Sequence, residues 1–326
     1  MPSPRALLLW GLWHACAGSL RELPWRPHAI YVNLERRADR RASVERALAS
    51  AGWPPSRVHR LNATHAPDDG LFGCNDSHRR ALEAALAAAA AWGRHEHVLV
   101  LEDDVAFRDV AAAAAQLAAF RAWDDAAAAG APRTRRRWDV ALLAGLRREI
   151  VAEAPVAGAR GPPPARLSLR RAENYQSTAG YLVHAEFLPT LLRCAEAATA
   201  AMLAEGPRRH AWNSLDQAWK RLQAAGDWVH FEPMLLDQTP GLSDITGLRA
   251  DYARAYGGFE AGRAALHAGR AVAFVLDADA NDYEGRPSTL TDAAAAAAAS
   301  GGALVRVAVP LADSSDVSDS DVDSEF

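Results

Sequence analysis

The sequence predicts an α/β domain with a mostly parallel central sheet. Three observations point there. The chain has 326 residues and is 50% hydrophobic, enough for one large globular domain or two small ones. Short β-rich apolar runs alternate with segments of helical spacing. Several of those runs end directly in charged or polar clusters, the carboxyl ends at which ligands sit in such sheets. The same arithmetic excludes a wholly disordered chain, a collagen and a disulfide-stapled miniprotein.

Each element follows in order. Residues 29–34, Ala-Ile-Tyr-Val-Asn-Leu, form a first strand bounded by Pro27. Residues 38–51 carry Val44, Ala47 and Leu48 at helical spacing and stop at Gly52. Residues 57–61 suit a second strand. A strong helix runs over 76–91, with Ser77 able to cap it and Leu82, Ala85 and Leu86 on one face. Residues 97–101 are a buried strand running into Glu102-Asp103-Asp104. An alanine-rich helix over 109–129 and a strand over 137–143 come next. Beyond the Gly/Pro-rich loop 158–164, the pattern gives a strand over 174–183 and a helix over 185–203. A short helix over 215–225 and a strand over 228–231 follow. Residues 236–270 show no clear period. A strand over 271–276, a helix over 291–299 and a strand over 303–309 close the chain, either packed on the domain or as a small appendage.

The ends differ from the body. Residues 1–17 combine Arg5, a short apolar run and an Ala15-x-Ala17 pair, the pattern of a secretory signal peptide. A disordered leader or a mis-called start reads the same way. The run is too short to span a bilayer, and no other stretch is apolar enough. A cleaved signal implies the secretory pathway (ER or Golgi lumen) or secretion, and without one the expectation is cytoplasmic. The sequons at Asn62 and Asn75 fit a secretory protein, although such triplets also arise by chance. Cys74 and Cys194 are expected as free buried thiols, since Cys16 would leave with the signal. The net charge of -4 is a property of the tail. Six acids lie between Asp313 and Glu325, and without them the balance is 36 basic against 34 acidic residues. Residues 312–326, Ser and Asp with almost nothing to bury, are expected to be disordered.

Three clusters carry chemistry. Glu102, Asp103 and Asp104 repel one another at a strand end and call for a cation or a donor. Glu102 and Asp104 are two apart, so an extended backbone sends both to one side. Their oxygens suit Mg²⁺ or Mn²⁺, which would bridge a diphosphate; a run of acids is also what a solvated loop carries. The second cluster spans 33–41, where Arg forks and a helix start suit phosphate. The third is Gly73-Cys74-Asn75-Asp76-Ser77-His78, placed at a loop-to-helix turn. His78 there is either a ligand contact or a capping or core histidine.

Together the clusters resemble glycosyltransferase family 25, which includes bacterial lipooligosaccharide galactosyltransferases and procollagen galactosyltransferases. The resemblance rests on Tyr31-Val-Asn-Leu-x-Arg-Arg-x-Asp-Arg-Arg41, Gly73-Cys-x-x-Ser-His78 and Val98-Leu-Val-Leu-Glu-Asp-Asp-Val105, in this order. It continues through residues 138–145, 177–183, Ser214-Leu-Asp216-Gln, Pro233, Gln238 and Ser243-Asp-Ile245, so it covers about 29–246. It implies a GT-A-type, Rossmann-like nucleotide-sugar transferase domain over 28–250, with 251–311 as an extension. It also implies a UDP-sugar donor, a Mn²⁺ (or Mg²⁺) cofactor and inverting transfer of a hexose, galactose above all, to a glycan or protein hydroxyl. Asp104 and Glu102 would be the metal ligands. Asn33, Arg37, Arg40, Ser77, His78, Asp103, Gln238 and Asp244 would lie on the nucleotide and substrate side. Asp216 would be the general base, because an inverting transfer needs a carboxylate to take the acceptor proton; an N-cap or exposed acid is the other reading of that position.

Two other classes compete. A catalytically inactive relative would bind a glycan or protein, but the intact acidic triplet favours an enzyme. A different nucleotide-binding transferase would use the same sheet, yet no Gly-rich phosphate loop follows the first strand. Nucleic acid is not an expected partner, since the arginines are scattered without an aromatic platform. Residues 133–137 read as a basic surface loop. The acidic turn 277–282 lacks the Gly and the final Glu of a calcium loop.

Overall fold

The structure, a computed structural model, describes residues 25–93, 96–130, 136–146, 149–150, 156, 167–207, 210–247, 249–250 and 274–275. The expectations for 1–17, 158–164, 277–282, 291–299, 303–309 and 312–326 fall outside them, as does most of the basic stretch 133–137.

The chain order is β1 (His28–Asn33), α1 (Ala38–Ser50), β2 (Val58–Asn62), α2 (Gly70–Trp92), β3 (Val98–Glu102), β4 (Val105–Phe107), α3 (Val110–Gly130) and β5 (Val140–Leu142). Then come β6 (Glu149–Ile150), β7 (Leu169–Arg171), β8 (Gly180–Val183), α4 (Leu188–Glu205), α5 (His210–Asn213), α6 (Leu215–Ala218) and α7 (Lys220–Ala225). The last strands are β9 (Val229–Phe231), β10 (Leu236–Gln238), β11 (Gly241–Leu242), β12 (Arg249–Ala250) and β13 (Phe274–Val275).

A seven-stranded sheet in the order β2-β1-β3-β8-β5-β9-β7 forms the centre. β2, β1, β3, β5 and β9 run one way, while β8 and β7 are reversed. The architecture is therefore the expected α/β fold with a mostly parallel sheet, in which two of the seven strands run antiparallel. The 174–183 run supplies one of them, because only Gly180–Val183 joins the sheet, between β3 and β5.

The core lies on both faces of the sheet, which is why the strands read as continuous apolar runs. Ala29, Tyr31, Leu99 and Leu101 face α1 and α3 residues such as Val44, Leu48, Leu117 and Phe120. Ile30, Val32, Val98 and Val100 alternate to the other face, against Leu82 and Ala85 of α2 and Leu188 and Leu191 of α4. Cys74 and Cys194 are both free thiols, as expected; Cys194 is buried, whereas Cys74 is only half-buried.

α2 departs most from expectation. It begins at Gly70, not near residue 76, because Asp69 is the N-cap and accepts from the Phe72 amide at 3.0 Å. Gly70 and Gly73 sit inside it for close packing. A Cβ on Gly70 would lie 2.5 Å from Ile245 Cα, and one on Gly73 2.7 Å from the Thr64 carbonyl oxygen. Ser77 is consequently mid-helix and no cap. Leu86 is 39% exposed, so the buried face is Ala81, Leu82 and Ala85. The predicted 215–225 helix breaks at Trp219 into α6 and α7.

Residues 236–250, without a period in the sequence, provide a return clamp. β10 pairs antiparallel with β4, placing Gln238 opposite Val105. The Thr239 amide donates to the Asp104 carbonyl at 2.6 Å, the Arg108 amide to the Leu235 carbonyl at 3.1 Å, and the Arg108 guanidinium to Asp237.

Among the described residues, no helix is long and apolar enough to cross a membrane.

Candidate active site

Three strand ends meet at one edge of the sheet: Asn33 of β1, Asn62 of β2 and Glu102 of β3. β3 ends in the acidic triplet, and each acid has its own environment. Asp103 is buried beneath Asn33 and Arg40. Asn33 Nδ2 donates to Asp103 Oδ2 at 2.7 Å, and Arg40 Nη1 to Asp103 Oδ1 at 3.1 Å. Burial raises the Asp103 carboxyl above its ordinary range despite these donors.

Asp104 lies 3.2 Å from the same Arg40 Nη1. Burial, then the Glu102 charge, push its carboxyl up to about 7. Glu102 accepts from Thr178 Oγ1 at 2.6 Å and from Gln238 Nε2 at 3.1 Å. Burial would raise Glu102, but His78, then Thr178 and Arg40, more than offset that and hold it below the usual carboxylate value. Gln238 Nε2 also reaches Asp104 Oδ1 at 3.3 Å, so two carboxylates converge on one amide nitrogen.

Around this centre, Asp244 accepts from Arg36 at 2.8 Å and from Arg37, pinning the 243–246 turn over the start of α1. Arg40 Nη2 donates to the Leu242 carbonyl at 2.5 Å. His78 is fully buried; its Nδ1 lies 3.0 Å from the Tyr181 hydroxyl and its Nε2 3.5 Å from Glu102 Oε1. Ser77 donates to the Gly73 carbonyl at 2.6 Å and accepts from the Thr64 amide at 2.8 Å. The expected loop-to-helix turn is thus a buried helix interior, where Ser77 fastens the 63–64 segment to α2 and His78 faces the acids.

Two cavities open here. One, of about 240 Å³, is bounded by Arg36, Arg40, Thr64, His65, Asp103 and Asp104. The other, of about 210 Å³, is bounded by His78, Gln176, Ser177, Thr178, Ser214 and Asp216. They share Cys74, Glu102, Gln238 and Ile245 as a common wall. Asp216 stands at the far side of the second, in the first turn of α6. Its Oδ2 accepts from the Ser177 amide at 3.0 Å and its Oδ1 from Ser214 Oγ at 2.6 Å. Ser177 itself takes φ +83°, a left-handed backbone that aims its amide at Asp216.

The expected site residues all gather at this edge. Sequence reasoning places Cys74 in the third cluster as a free thiol and gives no site role to it, Thr178 or Tyr181. Thr178 and Tyr181 lie within the quoted 177–183 segment, and Cys74 one helical turn before His78 (i, i+4), so the helical period would have exposed it once α2 was known to start at Gly70. Burial, followed by the charges of Glu102 and Asp216, raises the Cys74 thiol well above its usual value.

No protein-family model matches the chain, and no curated protein does. Solved structures share remote likeness. One is a glycosyltransferase involved in the glycosylation of the major capsid of PBCV-1, at 10% identity and TM-score 0.34, covering 71% of this chain and 98% of that one. Another is mannose-1-phosphate geranyltransferase from Thermus thermophilus, at 15% identity and TM-score 0.27, covering 68% of this chain and 71% of that one. Scores this low place no constraint on chemistry or substrate.

Proposed function

We propose that the chain is a metal-dependent, inverting hexosyltransferase of the glycosyltransferase family 25 kind, with a GT-A-type domain. It would move galactose or a related hexose from a UDP-sugar to a hydroxyl of a glycan or protein. One observation carries this reading: the convergence of Glu102 and Asp104 on the Gln238 amide nitrogen, at the wall between a cavity edged with arginine and a cavity ending on Asp216.

The residues present fit a divalent cation. Both converging groups are hard oxygen donors, and the Asp104 carboxyl, held near 7 by burial and Glu102, lacks full charge compensation. Asp104 and Glu102 would hold Mn²⁺ or Mg²⁺, which would offset the charge of the departing diphosphate.

The chain's own groups do the rest. Arg36 and Arg40 edge the cavity assigned to the nucleotide, with the 63–67 backbone as its far side. Asn33 and Arg40 lock Asp103, and so fix the strand end from which Glu102 and Asp104 project. Arg37 and Asp244 tie the lid-like 243–246 turn to α1. Ser77 lines the arginine-edged cavity and His78 the one that ends on Asp216, and Gln238 bridges the carboxylate pair through one amide nitrogen. Asp216, with each oxygen already oriented by one donor, takes the proton of the acceptor hydroxyl as that oxygen attacks C1. The C1–O bond to the diphosphate breaks in the same displacement, inverting the anomeric centre.

The test is UDP release from a panel of UDP-sugars, with Mn²⁺ and with chelator, by wild type, Asp104→Asn and Asp216→Asn. Turnover should need the metal and vanish in Asp104→Asn. Asp216→Asn should lower kcat by about 10²–10⁴-fold while UDP binding persists. Turnover indifferent to chelator and to Asp104→Asn overturns the assignment, and folded wild type inert with every donor points to a non-catalytic relative.

A further inference from the structure

The wall shared by the two cavities holds a second donor set, chemically unlike the Glu102–Asp104 pair. Cys74 Sγ, a His78 ring nitrogen and a Glu102 carboxylate oxygen lie within 4.8 Å of one another. Cys74 and His78 are four residues apart on α2, so they project from one face onto the end of β3. The His78 ring is fully buried, and its Nε2 has no hydrogen-bond partner, an uncommon state for a buried ring nitrogen. That nitrogen points at Glu102, 3.5 Å away.

Around the three, supporting contacts have the arrangement that orients metal ligands. Tyr181 Oη lies 3.0 Å from His78 Nδ1, so once a cation displaces the Nε2 proton that faces Glu102, Nδ1–H would donate to that oxygen and Nε2 would present its lone pair to the ion. Thr178 Oγ1 fixes Glu102 Oε1 from the other side at 2.6 Å. A thiolate, an imidazole and a carboxylate together suit Zn²⁺, with a fourth position open to the cavities, and do not suit Mg²⁺ or Mn²⁺.

We infer that Cys74, His78 and Glu102 form a binding site for a thiophilic divalent cation, Zn²⁺ in the first instance, distinct from the all-oxygen pair Glu102–Asp104. Thiolate and carboxylate charge balance the ion. Glu102 belongs to both sets, so Zn²⁺ held here withdraws it from Asp104; on the transferase reading, that makes Zn²⁺ an antagonist of the catalytic metal. The site itself does not depend on that reading.

The experiment uses the full chain, titrated with Co²⁺ as a spectroscopic probe and with Zn²⁺ by calorimetry. Wild type should show a thiolate-to-Co²⁺ charge-transfer band and bind Zn²⁺. Cys74→Ser should lose the band and bind Zn²⁺ about tenfold or more weakly, while Asp104→Asn and Cys194→Ser keep both. Zn²⁺ should also shield Cys74 of the wild type from alkylation, read by peptide mass, which requires no folded variant. A wild type without the band, a band that survives Cys74→Ser, or alkylation of Cys74 unaffected by Zn²⁺ overturns the site.

Discussion

Replacing Gly73 by alanine sets two effects against each other. In an open helix interior the change stabilises by about 1 kcal/mol, because glycine is the poorer helix former. Here the new Cβ would sit 2.7 Å from the Thr64 carbonyl oxygen and 3.3 Å from Ala66 Cβ. Ordinary contact begins at 3.4 Å, so the 64–66 segment must retreat by about 0.7 Å. It is not free to do so. The Thr64 amide is bonded to Ser77 at 2.8 Å and its hydroxyl to Asp76 at 2.6 Å, both on α2 itself. Overpacking of this kind costs about 1–3 kcal/mol, so the net loss is about 0–2 kcal/mol. At roughly 2–4 °C per kcal/mol, Tm falls by up to about 8 °C. Because 64–66 lines the larger cavity, UDP affinity should fall with it on the proposed transferase reading. Urea unfolding and UDP calorimetry measure both. Gly241→Ala, where a Cβ meets nothing within 4 Å, is the control and should change neither. A Gly73→Ala protein stabilised by about 1 kcal/mol with unaltered UDP binding would refute the packing argument.

Three further outcomes are expected. Burial, with Arg57 and His59 adding to it, lowers His28 to about 4, so the folded state resists charging it. Stability should decline as pH falls from about 6.5 toward 4, by about 1–2 kcal/mol once solvent screening is allowed for, and His28→Phe should flatten that slope in urea titrations; equal slopes in both proteins would contradict it. Asp69→Ala removes the α2 cap and should lower unfolding free energy by about 1 kcal/mol, with no change in urea midpoint as the adverse result. Asn75 is buried, donating to Thr199 Oγ1 at 2.8 Å and accepting from the Leu215 amide at 2.7 Å, so expression in a secreting host should place glycan at exposed Asn62 and never at Asn75, which peptide mass spectrometry decides.

The sequence made the left half of the sheet legible. β1 and β3 carry apolar runs that end abruptly in polar residues, so both strand and site edge are readable. The triplet 102–104 announced itself by charge. What escaped depended on tertiary contact. The first turn and a half of α2 were lost because Gly70 and Gly73 argue against helix locally, yet Ile245 and Thr64 demand them. The reversed direction of β8 is not legible, because a four-residue apolar run carries no direction. β10 to β12 are two or three residues each, too short for any period, and their register is set by β4 and by one another. Cys74 stayed hidden because its partners lie on α2, β3 and the approach to β8, and only folding brings them together.

The return clamp also fixes the order in which the molecule becomes competent. Gln238 meets Asp104 across 134 residues of chain. During synthesis the acidic triplet emerges long before β10, and until then Glu102 and Asp104 lack the amide on which they converge. Asp244, which ties Arg36 and Arg37 just ahead of α1, arrives later still. A nascent chain halted before residue 236 thus has the polar edge of β1 to β3 without a matched carboxylate pair. The matching of Glu102 with Asp104 is conferred from the C-terminal side, so a product that ends before residue 236 lacks the Gln238 bridge between them.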